Sequence, residues 1–443
     1  MTALEELNRT ILLCRDFVVD DLCDEEICRR FQSVKVLCVS DRHNLSSHSG
    51  QTALITLVSL LGRMGIPVWV RIPEVAMLLP QPPLSGSCVR AALIASSETL
   101  VAGATVCGDS NLNPDLTFVL GDTMVDSGHP SWRLSGSDWY GALTMEKSAA
   151  LQAWTTEWPI GSMVSAALAA NEAFKFVMRQ LPLRSPADQI FFEPSRFCDW
   201  NFDSVPVPEE GVHFGEVDII SAGAICQAAL YALLRLPKVQ MWGRIFDDDL
   251  TGASNLNRNM LTLVTDIDSK KVLVVAQRCG TNLRLEAVSN RFAGKASEGG
   301  KLAPRVVVGV DDIPSRWEAQ RCAPGWLAVS GTSHFSISSS AHSLGEPCSG
   351  CLHPVDDPAA ANPIPTVSFV SFWAGLAMTV RLLREALGSP YSSDRQHLWL
   401  TPLRMDQPHA AMWLPVASRR DCPVDCLASQ RLYLRTRGAE RRA

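Results

Sequence analysis

The residues best suited to do chemistry lie just after a strand-like run, QMWGRIF, in the middle of the chain. Three consecutive acids begin at Asp247, and the segment SNLNR follows at 254–258. An acid at the end of the second strand of a nucleotide-binding β-α-β unit is placed to hold ribose hydroxyls. Asn255 and Arg258 then add an amide and a guanidinium. The alternative is a polar helix start, capped by Ser254 or Asn255, with Arg258 in solvent.

A glycine-containing turn precedes these residues. The segment SAGAIC (221–226) lies where a strand passes into a helix, and backbone N–H groups in such a turn can approach the phosphates of a nucleotide. Gly223 is the central glycine of a G-x-G-x-x-G pattern, whereas Ser221 and Cys226 occupy the outer positions. An ordinary strand–helix turn would look the same, so the turn supports a nucleotide site only together with Asp247.

These segments, together with two later ones, resemble the ubiquitin-activating-enzyme superfamily, which has the ThiF/MoeB/HesA fold. The family pattern is an acid-x-acid at a strand end, S-N-L-x-R, a lysine, and an acid-led turn with an arginine. Here the pattern reads DDD, SNLNR, Lys271 and VDDIPSR (310–316), with Lys270 as the alternative lysine. The resemblance covers nearly all of 213–390.

The resemblance implies ATP-dependent adenylation of the C-terminus of a ubiquitin-like protein, followed by transfer to a conjugating enzyme. Both reactants are anionic, so positive charge and magnesium must neutralise and align them. Asp311 would bind the magnesium. The implied catalytic residues are Arg9, Arg258, Lys271 and Asp311, and the implied nucleotide-binding residues are Gly223, Asp247, Asp249, Asn255, Arg258 and Lys271.

Arg9 enters this set through the segment LNRTILL (7–13), which resembles the opening of MoeB-like enzymes. In that family the arginine reaches across a dimer into the partner's ATP site. We therefore expect Arg9 to reach from the first half of this chain, or from a second copy, into the active half. The alternative is a first-helix arginine on the surface.

The chain also shows an internal duplication. VKVLCVS (34–40) and VDIISAG (217–223) each precede a helix-like run, and each half later has a proline-led apolar helix. Strands that alternate with helices predict parallel α/β sheets. We predict two tandem ThiF-like (Rossmann-like) α/β domains: an inactive first domain at 1–183, a linker at 184–212, and an active domain at 213–443. The first domain is degenerate because SDRHNLSSHSG replaces its glycine turn and no S-N-L-x-R follows.

Two pairs of cysteines differ from the other ten of the fourteen. PCSGC contains Cys348 and Cys351, and DCPVDC contains Cys422 and Cys426. Two thiolates from each of two turns suit tetrahedral zinc, and the family commonly has such a site. A redox pair is the alternative, but it would need a thioredoxin-like strand before it.

The crossing loop at 352–371 contains no cysteine, so we expect no thioester on this chain. A direct hand-off or an oxyester on a loop hydroxyl would replace it.

Composition excludes some classes of function. The net charge of −6 gives no basic footprint for nucleic acid, and the apolar run at 367–380 is too short to span a bilayer. We expect a cytoplasmic protein whose cofactors are ATP, Mg²⁺ and Zn²⁺. Its expected partners are a ubiquitin-like protein, a conjugating enzyme and, in a homodimer, a second copy. By analogy, the tandem form is typical of bacterial ubiquitin-like conjugation in phage defence. The alternatives are a non-catalytic scaffold, a sulfur-carrier activating enzyme and a nicotinamide-dependent oxidoreductase.

Overall fold

The structure, a computed structural model, describes residues 2–100, 106–108, 113–125, 128–145, 154–203, 205–294, 301–356 and 364–440. It contains two large mixed sheets, one built from each half of the chain. The centre of the crossing loop (357–363) lies outside the described residues.

The first sheet has the order β3-β2-β1-β4-β5-β6-β7, in which β6 pairs antiparallel with both β5 and β7 and the other pairs are parallel. Its strands are β1 (Val36–Val39), β2 (Val68–Arg71), β3 (Val106–Gly108), β4 (Leu116–Leu120), β5 (Ser131–Ser137), β6 (Tyr140–Thr144) and β7 (Phe197–Asn201).

The second sheet repeats this order and adds one strand, giving β10-β9-β8-β11-β12-β13-β14-β15. The first five strands in this order are parallel to one another. Each of the last three strands pairs antiparallel with the strand before it. The strands are β8 (Val212–Ile220), β9 (Val239–Phe246), β10 (Leu283–Val288), β11 (Arg305–Val308), β12 (Trp326–Ser333), β13 (Ser336–Ser343), β14 (His397–Leu400) and β15 (Ala411–Leu414). The equal strand order agrees with the duplication seen in the sequence.

Helices connect the strands and cover the sheets. Those of the first half are α1 (Ala3–Glu6), α2 (Asn8–Arg15), α3 (Asp24–Ser33), α4 (His48–Arg63), α5 (Val89–Ala95), α6 (Ile160–Met178) and α7 (Pro186–Phe191). Those of the second half are α8 (Ala224–Leu233), α9 (Lys271–Cys279), α10 (Ile313–Arg321), α11 (Ser349–Leu352), α12 (Ser368–Ala386) and α13 (Leu427–Glu440). Among the described residues, every helix is too short or too polar to cross a lipid bilayer.

The segment that we predicted as a linker, 184–212, contains regular structure. Helix α7 lies in it, and β7 pairs antiparallel with β6 as the edge strand of the first sheet. The segment's proline and acid content hid this strand, because only Cys198 of β7 is buried. An edge strand with one neighbour carries a weaker apolar pattern than a central strand.

The two halves share one apolar core rather than lying apart. Helices α4 and α6 of the first half and α8 and α12 of the second contribute to the same buried cluster. Helices α8 and α12 approach closely at Gly375, where a Cβ atom would lie 2.5 Å from Cβ of Ala228. Between the halves, Ser368 of α12 donates a hydrogen bond to the carbonyl of Leu60 in α4 at 3.0 Å. The core therefore holds residues of the first half against the second.

Buried histidines make this fold sensitive to acid. His48, at the interface, is fully buried, and burial lowers its pKa from 6.5 to about 4. Between these two pH values the unfolded chain binds a proton that the folded chain does not, so stability falls as pH falls below 6.5. A shift of this size corresponds to about 3 kcal/mol.

We expect the melting temperature to drop between pH 6.5 and pH 4 and the drop to be smaller in His48→Gln. The exposed His43 provides a matched control, since His43→Gln should melt like the wild type at every pH. Calorimetric scans across this pH range test the expectation. Equal acid sensitivity in the wild type and His48→Gln would contradict it.

Candidate functional site

A cavity of about 450 Å³ opens at the carboxyl ends of β8, β9 and β11. Strands β8 and β11 are neighbours, but the chain leaves β8 toward β9 on one side and returns to β11 on the other. In open α/β sheets this switch in strand order creates the crevice in which ligands bind.

The cavity brings together the residues that the sequence predicted for ATP and catalysis. It is lined by Arg9, Gly223, Asp247, Asp249, Asn255, Arg258, Lys271 and Asp311. The described part of one chain supplies all of them, so Arg9 reaches this cavity without a second copy.

The glycine turn keeps its shape without its first glycine. Ser221 has φ +93°, a left-handed conformation that L-residues rarely adopt. Its hydroxyl accepts a hydrogen bond from the N–H of Gly223 at 3.0 Å, and Asp247 accepts one from the N–H of Ala222 at 2.7 Å. These two bonds hold Ser221 in its strained conformation. The first turn of α8 lines the cavity, and the free N–H groups of a helix N-terminus favour an anion there.

The acidic segment and the lysine form one unit. Asp247 also accepts from the N–H of Asp249 at 2.9 Å, and Asp249 pairs with Lys271 at 2.6 Å. The adjacent Lys270 donates instead to the carbonyl of Asp248 and does not line the cavity. The structure therefore places Lys271, and not Lys270, at the cavity.

Two guanidinium groups and a carboxylate interact electrostatically in the cavity. Burial first, and then the neighbouring Arg9, lower the pKa of Arg258 to about 9, while Asp311 raises it. Burial also lowers the pKa of Arg9, and Asp311 opposes this shift. Both arginines remain charged at neutral pH. Arg258 donates to the carbonyl of Ser254 and, at 2.9 Å, to the side chain of Asn257.

The turn that carries Asp311 is held from below by Arg316. This arginine is buried and donates twice to the carbonyl of Val310, at 3.2 and 2.9 Å. Asp312 caps α10 by accepting from the N–H of Ser315 at 2.7 Å. Asp311 is left exposed at the cavity, and a carboxylate oxygen is a ligand that Mg²⁺ prefers. The carboxylate of Asp311 therefore suits a magnesium ion.

Sequence reasoning missed three lining residues: Asn259, Arg291 and Phe292. No motif marks Arg291 or Phe292, although the Phe292 ring meets that of Phe246 edge-on at 5.5 Å. Asn259 directly follows SNLNR, and its buried Nδ2 finds no hydrogen-bond partner in the described part of the chain. Its position next to the motif was the available signal.

The equivalent crevice of the first half is filled by the chain itself. Asn44 is fully buried and donates to Asp41, Asp122 and Thr123 at 2.9 to 3.1 Å. Its side-chain oxygen accepts from the N–H of Trp154 at 3.0 Å. These contacts occupy the space between the ends of β1 and β4.

The four paired cysteines meet at a second site. Their sulfurs lie within 4.8 Å of one another. Cys348 and Cys422 are 3.5 Å apart and Cys351 and Cys426 are 3.6 Å apart, too far for disulfides. Zn–S bonds of about 2.3 Å give a tetrahedral S···S edge of about 3.8 Å, so the group fits zinc. Hydrogen bonds from Cys348 and Cys351 lower the pKa of Cys426, which favours a thiolate there.

The serine- and histidine-rich stretch 331–343 lies mostly in the antiparallel pair β12–β13. Ser338 contacts His397 at 2.8 Å and Ser340 contacts His342 at 2.9 Å. Burial lowers the pKa of both histidines, to about 4 for His397 and about 3 for His342, so they are neutral. Of this stretch, only Thr332 lines the cavity.

Residues 35–186 match the protein family described as "BilD N-terminal domain". A Sinorhizobium fredii protein, "Uncharacterized protein y4jF", is 30% identical over 146 residues, which are 32% of this chain and 28% of that protein. The match thus spans well under two thirds of the relative's length.

Two solved structures also show similarity. E. coli MccB with succinimide has 14% identity and a TM-score of 0.38, over 47% of this chain and 66% of that chain. PaaA has 12% identity and a TM-score of 0.33, over 46% and 64%. Similarity at this level does not indicate a shared activity.

We expect one zinc per chain, held by the four cysteines. Cys351→Ser should release the metal and lower the melting temperature of the chain, since metal binding contributes to folding free energy. The exposed Cys23 provides the control, and Cys23→Ser should keep both metal and stability. Elemental analysis with parallel melting curves tests this. Metal-free wild-type protein of unchanged stability would rule out the site.

Proposed function

We propose that this chain is an activating enzyme that uses ATP to adenylate the C-terminus of a ubiquitin-like protein and passes it to a conjugating enzyme. The observation that carries this proposal is the cavity, which combines four cationic groups, Arg9, Arg258, Lys271 and Arg291, with a ribose-oriented acid and an exposed carboxylate. The match of residues 35–186 to a domain of bacterial ubiquitin-like conjugation systems supports it.

Each group has a role in this reaction. Asp247, oriented by two backbone N–H groups, would accept hydrogen bonds from ribose hydroxyls. The N-terminus of α8 and Lys271 would face phosphates, and binding of phosphate would replace the Lys271–Asp249 ion pair. Asp311 would hold magnesium, which screens the negative charge of the leaving pyrophosphate.

The attacking carboxylate and the α-phosphate are both negative, so they repel each other. Arg9 and Arg258 face the same space as Asp311, and their positive charges offset this repulsion where the new bond forms. Groups that are positively charged before the substrates arrive need little reorganisation during the reaction. Thr366 and Ser371 contribute hydroxyls at the same wall and suit the backbone of an extended peptide tail.

The carrier of the activated carboxylate is proposed to be a partner's nucleophile. Cys226 lies under the turn, and burial raises its pKa to about 12, so its thiol stays protonated. The hydroxyl of Ser368 is buried and donates to Leu60, whereas Thr366 lines the cavity with its hydroxyl 3.2 Å from that of Ser371.

ATP–pyrophosphate exchange with a ubiquitin-like protein as the substrate tests the proposal. Lys271→Ala should lower the exchange rate by about 100-fold to 1000-fold, the usual effect of removing one charge-stabilising group. Lys270→Ala is the matched control, because this lysine lies outside the cavity, and its rate should stay near that of the wild type. Absence of exchange in the wild type, with the partner bound, would instead indicate a non-catalytic scaffold.

Arg9 gives a second test. Arg9→Ala should slow exchange by about tenfold or more, because one of two cations facing the reacting groups is lost, with little change in melting temperature. Arg15 lies on the same helix, α2, but pairs with Asp24 at the surface, so Arg15→Ala should exchange normally. Equal rates in the two variants would remove Arg9 from the site.

A further inference from the structure

A buried arginine of the first half supports the segment that carries the phosphate-site residues of the second. Arg63 is the last residue of α4 and is 0% exposed. Its guanidinium donates to three carbonyls of the other half: Leu256 at 2.7 Å, Met260 at 3.1 Å and Thr262 at 2.8 Å. These carbonyls begin inside SNLNR, next to Asn255 and Arg258.

This segment needs such support because its backbone is irregular. After a short 3₁₀ turn at Ala253–Asn255, the chain enters no α-helix or strand until α9. Buried carbonyls outside regular structure must find donors elsewhere. Gln227, on α8, bonds the same segment from within its own half, accepting from the N–H of Leu261 at 3.1 Å. Arg63 supplies donors from the other half.

A second contact links the first half to Arg258 through the side chain of Asn257. Asn257 is fully buried; its Nδ2 donates to the hydroxyl of Thr10 at 3.2 Å. Its Oδ1 accepts from the guanidinium of Arg258 at 2.9 Å. The orientation of Arg258 therefore depends on Thr10 as well as on the backbone held by Arg63.

The duplication provides a counterpart to Arg63. Arg235 follows α8, the helix of the second half that corresponds to α4, and is also 0% exposed. It donates to the carbonyl of Pro82 in the first half at 3.0 Å and to that of Tyr231 in its own helix at 2.9 Å. Each half thus inserts an arginine into the other, but only Arg63 bonds the segment that lines the cavity.

Burial lowers the pKa of both Arg63 and Arg235 to about 10, so both remain charged at neutral pH. A guanidinium presents five N–H donors in a planar fork, and a lysine ammonium cannot reach three separated carbonyls in the same way. Arg63→Lys therefore keeps the charge and removes the bonding pattern.

We propose that Arg63 and Thr10 are positioning residues, through which the first half sets the place of Arg258 at the phosphate site. This rests on the proposed adenylation. It gives the first half a task beyond supplying Arg9: a half whose own crevice is filled keeps the other half's segment in its reactive arrangement.

The test compares Arg63→Lys with Arg235→Lys, a matched variant of the same burial and charge. Amide hydrogen exchange of residues 253–262, measured without ligands, should be faster in Arg63→Lys and unchanged in Arg235→Lys. In ATP–pyrophosphate exchange, Arg63→Lys should lower kcat by about tenfold to 100-fold, the scale for small misplacements, while KM for ATP changes little. Arg235→Lys should lower only the melting temperature.

A double-mutant cycle adds a readout that a general loss of stability would not produce. In an Arg258→Ala background, Arg63→Lys should have little further effect on the rate, because it acts through Arg258. Full additivity, or equal rate losses in Arg63→Lys and Arg235→Lys, would overturn the proposal. So would wild-type exchange of residues 253–262 in Arg63→Lys.

Should Arg63→Lys fail to fold, Thr10→Val decides the matter, since it preserves shape and removes the acceptor of Asn257. A rate equal to the wild type would then overturn the proposal, and a loss confined to kcat would support it. Failure of the proposed function itself is seen separately, because wild-type chain without any pyrophosphate exchange refutes adenylation while amide exchange still reports on the support from Arg63.

Discussion

The cavity of the second half brings two like charges together, because Arg9 and Arg258 both line it. Burial lowers the pKa of both arginines. Repulsion from Arg9 lowers the pKa of Arg258 further. Such an arrangement is unfavourable by itself and persists because the surrounding fold stabilises it. Here the apolar core shared by α4, α6, α8 and α12 also includes residues of α2, and hydrogen bonds join α2 to Asn257 and Thr366 of the second half. In the proposed reaction, the anionic substrates would reduce this repulsion.

The two halves use one architecture in opposite ways. Both sheets have the same strand order and the same crevice at the switch between their central strands. In the first half, Asn44 occupies that crevice with hydrogen bonds to both ends of its amide. In the second half, Ser221 stays in a strained conformation, and the crevice stays open. The first half, whose crevice is filled, instead contacts the second half through Arg9, Thr10 and Arg63.

The cysteine cluster belongs to a separate, smaller core. It joins α11 to the segment before α13, and it has its own small apolar cluster with Val416. Trp317, on α10, donates to the carbonyl of His353 at 2.9 Å, so α10 links this region to the turn of Asp311. A metal there would fasten the ends of the second half without entering the cavity.

The sequence by itself determined the residues whose roles follow from local geometry. Asp247 lies at a strand end, Gly223 at a helix start and the four paired cysteines close together, as short stretches of the sequence predicted. Lys271 was implied by the family resemblance, with Lys270 as the alternative. The strand order was predictable in outline for the same reason, because alternating strands and helices leave few arrangements.

Only the tertiary structure decided which distant groups meet. It placed Arg9 beside residues more than 240 positions away, selected Lys271 over Lys270, and showed β7 inside the predicted linker. It also revealed Asn44 as the filler of one crevice and Arg63 as a donor to the other half's backbone. Such contacts arise where the two halves pack against each other. The local sequence does not predict them, because a buried arginine or asparagine has the same sequence neighbours as an ordinary helical or turn residue.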